Sequence, residues 1–384
     1  MIITTNTVVL SIILAKVKQA INVKNAMPIL QNVLFHEQDG EYYLIASSTE
    51  LWISHKILFS VDGDWFDFCL PVDRVISALS LLPDQPLFLN VADEKPHSVE
   101  FKTVDSSNKE TKFTVSSIEP EAYPMWGNHR FEPLATGLSI KSFLPSVKEA
   151  TKYSAKDLLR PVMNGVFLDF FSDKLVVVAS DGHRLYKNVV KLENNLVKGD
   201  EHTGANLTKE LVALLLGSIM KEETVDVSVD SSGTIRFTTP DITVMATMIE
   251  GTYPHYNSVI PSNNNKEAVV AKVDLLRSVK LVSKFASASS ELIVLDFGLL
   301  MDISARDFDF GESAKDSVVM IDYKNIPSGF QVGLKFSTLL TCLSDIQTKN
   351  VRLLMNSASH PILIKEEDES SDLTLLLMPM IVDD

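Results

Sequence analysis

Pro28-Ile29-Leu30-Gln31-Asn32-Val33-Leu34-Phe35 and Pro161-Val162-Met163-Asn164-Gly165-Val166-Phe167-Leu168 read as two copies of one stretch, 133 residues apart. At the same offset Ala46-Ser47 falls on Ala179-Ser180. Each copy continues as a strand, a turn with acidic residues (Asp39-Gly40; Asp173), a second strand and a polar turn. Further on, Glu121-Ala122-Tyr123-Pro124 is echoed by Glu250-Gly251-Thr252-Tyr253-Pro254. A third copy is fainter: Leu292–Phe297, Leu299–Ser304, then Ala305-Arg306-Asp307. A period near 130 residues divides the 384-residue chain into three units, 1–127, 128–260 and 261–384.

Each unit carries two helical patterns among many strands. Apolar spacing of three and four predicts first helices over Val8–Ala20, Ile140–Tyr153 and Val273–Phe285. Second helices are predicted over Val72–Leu82, Leu207–Leu216 and Ser337–Ile346. Alternating runs predict strands at Glu41–Ala46, Lys112–Ile118, Leu175–Ala179, Thr234–Thr239 and Leu373–Leu377. Helices grouped against strands without regular βαβ alternation indicate an α+β fold.

Charge is segregated by element. The chain holds 35 Lys+Arg against 50 Asp+Glu, a net −15. Yet the three first helices carry +2, +2 and +3 (the third counted from Lys272), while the three second helices, counted over 71–82, 206–217 and 335–346, are neutral. The remainder of the chain therefore sums to −22. A net −15 argues against an overall basic nucleic-acid binder, but a basic surface made only of the first helices is compatible with it.

Several chemistries lack their parts. No Gly precedes Lys and no G-x-G occurs, so neither a Walker A loop nor a dinucleotide fingerprint is present. The eight histidines are scattered, and neither Cys69 nor Cys342 belongs to C-x-x-C, so no standard zinc ligand set exists. We therefore expect no metal and no cofactor. Two cysteines amid apolar neighbours suggest buried thiols in a reducing, cytoplasmic compartment. The first residues lack a basic-then-apolar secretory pattern, and no apolar run approaches membrane-span length, so no membrane partner is expected.

Ser180-Asp181-Gly182-His183-Arg184 is the one stretch that looks like chemistry. A hydrolase would use Ser180, His183 and Asp181 as a triad. Residues this close around Asp-Gly instead lie across a tight turn after the strand Leu175–Ala179, with Gly supplying positive φ.

Taken together, Met27-Pro28-Ile29-Leu30, Arg160-Pro161-Val162-Met163-Asn164-Gly165, Ser180-Asp181-Gly182-His183-Arg184-Leu185, Glu250-Gly251-Thr252-Tyr253-Pro254 and Met378-Pro379-Met380 closely resemble motifs of the bacterial sliding clamp family, the β subunit of DNA polymerase III. The resemblance runs end to end. It implies three clamp domains per chain, each packing two helices against antiparallel sheets, and a closed ring of six domains from a homodimer. Basic helices would line the hole and acidic strands and loops would face outward. Phe113 and Val115 would lie on one interface edge, with Phe285 and Ala286 on the other.

The function so implied is a non-catalytic processivity clamp that slides on double-stranded DNA without sequence preference. Lys24 aligns with a family position that touches DNA; Lys141, Lys148, Lys152, Arg277, Lys280 and Lys284 are charge-based candidates. The family also docks replicative polymerase, clamp loader and repair proteins through short linear motifs. By position, that cleft would use Arg160, Met163, Ser180, Gly182, His183, Arg184, Leu185, Pro254, Val259, Pro361, Met378, Pro379 and Met380. Arg160-Pro161-Val162 replaces aromatic residues that some members carry, and the tail continues to Asp383-Asp384. Glu366-Glu367-Asp368-Glu369 reads as a solvated loop. A rival from another class is a monomeric peptide-binding scaffold of the same fold that does not encircle DNA.

Overall fold

In the computed structural model, which describes residues 1–22, 27–92, 98–127, 129–192 and 203–382, each basic window is an α-helix that tightens into a 3-10 turn. Thr7–Val17 runs into Lys18–Ala20, Ile140–Ala150 into Thr151–Tyr153, and Lys272–Val282 into Ser283–Phe285. The buried stripe recurs with them: Leu10, Leu14 and Val17; Phe143, Val147 and Ala150; Leu275, Val279 and Val282. A spacing of four then three puts each trio on one helix face. Asn6 caps the first helix, its side-chain oxygen accepting from the amides of Val8 (2.8 Å) and Val9 (3.3 Å). The second helices are Val72–Leu79, Lys209–Ser218 and Phe336–Asp345.

The chain divides into two compact units. The first holds Met1–Leu144 and Glu210–Met248; the second holds residues 145–192, 203–209 and 249–382, so the middle repeat supplies strands to both. Within the first unit, an eight-stranded antiparallel sheet joins the first two repeats. Ile242–Thr247 pairs with Leu51–Ile57, in the register Ile242↔His55, Val244↔Ile53 and Ala246↔Leu51. Within the second unit, a nine-stranded sheet joins the last two repeats. Leu373–Leu377 pairs with Arg184–Lys191, in the register Leu377↔Arg184 and Leu375↔Tyr186. The 133-residue offset carries Leu51 onto Arg184, so the two junctions use equivalent strands.

Each unit also contains a partial sheet. The first unit's has five strands, in the order Ser60–Asp62, Ile2–Asn6, Pro86–Val91, Ser98–Val104 and Glu110–Ser116. The second unit's has four, in the order Glu312–Val318, Met301–Asp307, Leu292–Phe297 and Phe330–Lys335. By position in the repeat, the five strands match the half of the nine-stranded sheet that ends at Leu373–Leu377. The four match the half that begins at Arg184–Lys191. Each partial sheet thus corresponds to one half of such a composite sheet, and at that end the outer strands Glu110–Ser116 and Glu312–Val318 each pair on one side only among the described residues.

The strand expected at 112–118 runs Glu110–Ser116 instead. Its hairpin partner Ser98–Val104 fixes the start at Val104↔Glu110, while Ile118 leaves to bridge Cys69. Glu366 ends a strand, and residues 367–369 are exposed, as a solvated loop requires.

Cys69 and Cys342 are free and buried, and burial pushes both thiols up to about 12. We expect neither to react with a thiol-specific disulfide reagent at pH 8 in the native protein, and both to react in denaturant. A fast-reacting native thiol would contradict this.

Candidate functional site

The polar turn after Lys174–Ser180 is held by its own side chains. Ser180 Oγ donates to the Arg184 carbonyl (2.8 Å) and accepts from the Gly182 amide (3.1 Å). Asp181 Oδ1 accepts from the amides of His183 and Arg184, and Oδ2 accepts from Arg184 Nε at 2.9 Å. Gly182 sits at φ +90, where L side chains are strained, and a Cβ there would meet the Arg160 guanidinium at 3.4 Å. The serine and aspartate are thus engaged in building a turn, and Ser180 Oγ donates to a carbonyl rather than to an imidazole.

This turn forms one lip of an apolar cavity of about 390 Å³ in the second unit. Leu185 and Leu376 are register partners on adjacent strands and are 2% and 3% exposed; with Met163 they form its buried floor. Tyr253 stacks on Phe167 (centroids 4.6 Å apart), fixing one wall. Tyr256 fixes another, its hydroxyl donating to buried Asp169 at 2.8 Å. Burial, reinforced by the Asp169 carboxylate, raises the Tyr256 hydroxyl well above its ordinary pKa, so it stays a neutral donor. Val259 and Met378, 53% and 40% exposed, stand at the rim with Pro254, His255 and Pro361.

Of the thirteen cleft residues read from sequence, nine line this cavity: Met163, Ser180, Gly182, Arg184, Leu185, Pro254, Val259, Pro361 and Met378. Arg160, His183, Pro379 and Met380 do not. Arg160 Nε donates to Asp157 at 2.8 Å behind the Gly182 turn. His183 faces a separate polar depression with Lys152, Lys156 and Asp181. The tail diverges after Met378, whose amide donates to the His183 carbonyl at 2.8 Å. The Met380 amide donates to Gly333, also at 2.8 Å, anchoring the tail to the four-stranded sheet. The sequence reading missed Tyr253, His255, Tyr256 and Leu376 as lining residues. Tyr253 lay inside a quoted motif; Leu376 needed the strand register.

The basic helices present their cations as follows. Lys141, Lys148, Arg277, Lys280 and Lys284 are exposed. Lys152 is held by Asp345 (2.6 Å) and Glu149, and these two partners raise its pKa against the opposing effect of burial. Lys24 lies outside the described residues. Phe113 is stacked on Phe101 at 4.7 Å, and Val115 is buried beside it on the edge strand Glu110–Ser116. Phe285, 37% exposed, and half-buried Ala286 close the third basic helix.

Family models for the DNA polymerase III beta subunit match the chain in succession: the N-terminal domain over residues 1–127, the central domain over 140–255 and the C-terminal domain over 257–381. The beta sliding clamp of Rickettsia bellii (strain RML369-C) is 22% identical over 371 residues, covering 94% of each chain. That of Staphylococcus epidermidis (strain ATCC 12228 / FDA PCI 1200) is 22% identical over 373 residues, again covering 94% of each. Among solved structures, the DNA polymerase III subunit beta from Pseudomonas aeruginosa superposes with a TM-score of 0.88 at 20% identity, covering 100% of both chains. The beta subunit from Streptococcus pyogenes gives 0.87 at 19%, with the same coverage. With its three domains matched in order and its fold shared end to end, the chain belongs to the DNA polymerase III beta subunit family, the bacterial sliding clamps.

Proposed function

We propose that this chain is a DNA sliding clamp, the processivity factor of a replicative DNA polymerase, acting as a homodimeric ring and without catalysis of its own. The observation that carries the ring is the pair of half-sheets. Two composite sheets are completed within the chain, and the five- and four-stranded sheets are the unmatched halves of a third. Pairing Glu110–Ser116 of one copy with Glu312–Val318 of a second repeats a junction already made twice and covers the open side of both strands. Phe113 and Val115 lie on the first of these strands, and the 3-10 turn Ser283–Phe285, which Ala286 follows, lies beside the second, which supports their assignment to the interface.

The exposed cations on the first helices, with Lys24, supply a sequence-blind attraction to duplex phosphates. It is weak enough to permit sliding, because salt screens isolated surface charges within about 10 Å. The apolar cavity suits a short linear motif from polymerase, clamp loader or repair proteins. A floor of Met and Leu adapts to differing apolar side chains.

Light scattering tests the ring. We expect a mass near twice 42.6 kDa at micromolar concentration. Once loaded by a clamp-loader ATPase, the protein should stay on closed circular DNA and be lost from linear DNA. A stable monomer would favour the scaffold reading, and equal retention on both DNAs would remove encirclement.

A further inference from the structure

Beside the apolar cavity, the same face of the nine-stranded sheet turns basic. Leu185, Leu376 and Leu363 form one row across three adjacent strands. Side chains alternate along a strand, so the next row on that face is Lys187, Thr374 and Lys365, about 7 Å further on. Lys174 joins from the neighbouring strand, where its register partner is Lys191. A second cavity of about 670 Å³ opens over Lys174, Lys187 and Lys191, and Tyr256 is a wall of both cavities.

These amines are not neutralised in place. Lys191 has Asp372 at 3.4 Å. Among the described residues, Lys174, Lys187 and Lys365 form no ion pair with a carboxylate, although Asp173 lines the same cavity. All three are half-buried. Lys187 Nζ donates to Asn257 Oδ1 at 2.8 Å and lies 5.5 Å from the centre of the Tyr256 ring. Lys174 lies 5.1 Å from the Phe171 ring. Burial, with Lys174 and Lys365 nearby, lowers the Lys187 pKa. In a chain with fifteen more acidic than basic residues, three half-buried amines without carboxylate partners form a preorganised anion receptor. An incoming carboxylate would relieve their mutual repulsion.

We propose that this lysine shelf is a second subsite for partner peptides, receiving the carboxylates of an acidic segment continuous with the apolar residues that fill the cavity. The assignment rests on the peptide-docking reading above. An extended peptide advances about 3.4 Å per residue, so the acidic residues belong about two to four positions from the apolar ones.

Fluorescence anisotropy with the full-length protein tests this. The probes are labelled peptides with a leucine–phenylalanine pair flanked, two residues away on either side, by three aspartates or by three serines. In 50 mM salt we expect one aspartate peptide to bind about tenfold tighter than its serine counterpart, with the advantage fading by 500 mM. Lys174→Gln/Lys187→Gln/Lys365→Gln should abolish the advantage while leaving serine-peptide affinity unchanged. Lys187→Arg alone should retain it. Equal binding of aspartate and serine peptides in low salt would overturn the shelf while leaving the cavity standing. Failure of all four peptides to bind would remove the cavity reading and the shelf with it. Displacement of the aspartate peptide by a short oligothymidylate more effectively than by a serine-to-aspartate competitor would assign the shelf to nucleic acid instead.

Discussion

Thr114→Pro will leave the chain folded and turn the proposed ring into monomers. Thr114 lies on the outer strand Glu110–Ser116, paired on one side only, with Ser98–Val104. The Asp105 amide bonds the Lys109 carbonyl at the base of this hairpin. Counting from that bonded pair, alternation in an antiparallel ladder puts Phe113 and Val115 in bonded pairs and turns the amides of Lys112 and Thr114 outward. Proline at 114 therefore removes no hydrogen bond within the chain, and an edge strand tolerates its φ. The donor it removes is the one a second copy's Glu312–Val318 would use, and the ring intrudes where that strand must lie. Stranding an acceptor costs about 2 kcal/mol. A two-chain ring contains the junction twice, so the loss is about 4 kcal/mol, near a thousandfold in dimer affinity. Thr114→Val keeps the amide and the β-branched side chain and should remain dimeric. Light scattering, together with retention on circular DNA, checks both variants. A dimeric Thr114→Pro protein with wild-type retention would mean that this strand is not the junction.

The architecture was readable where burial repeats and faint where it does not. Leu10, Phe143 and Leu275 occupy equivalent positions because each first helix must bury the same stripe, and apolar spacing exposes such stripes in any one-dimensional reading. Glu312–Val318 was not among the strands predicted from sequence, and its Glu, Lys, Asp and two Ser leave little apolar alternation. The structure gives a physical reason: it is an open edge strand with one neighbour, so packing demands little of it. The composite sheets were not readable at all. Pairing of Leu51–Ile57 with Ile242–Thr247 joins residues about 190 apart, and register across such a junction is a property of packing, not of local pattern. The same limit governed the site. Met378 and Met380 look alike as side chains, yet one lines the cavity and the other is tied to Gly333. Leu376 reaches the floor only because Arg184–Lys191 and Leu373–Leu377 pair in one register and no other.

That divergence of the tail sets up the sharpest test of the cavity. Val259→Asp/Met378→Asp should abolish partner-peptide binding and leave folding and ring mass unchanged. Both side chains stand at the rim, 53% and 40% exposed, so the carboxylates are solvated in the free protein and cost it little. They flank an apolar floor of Leu185, Leu376 and Met163, and the arginine that lines the cavity, Arg184, is already paired with Asp181. An apolar occupant would lose its contacts with valine and methionine and would bury two charges as it seated. At about 1 kcal/mol for each lost contact and at least about 2 kcal/mol for charge desolvation, binding should fall by more than 100-fold. Met380→Ala, which changes the tail beyond the cavity, should alter peptide affinity by less than about threefold. Titration of a labelled partner peptide against the three proteins, with light scattering run in parallel, separates the outcomes. Wild-type affinity in the double aspartate variant would show that the peptide seats elsewhere. A loss confined to Met380→Ala would move the site to the tail's anchor on the strand Phe330–Lys335.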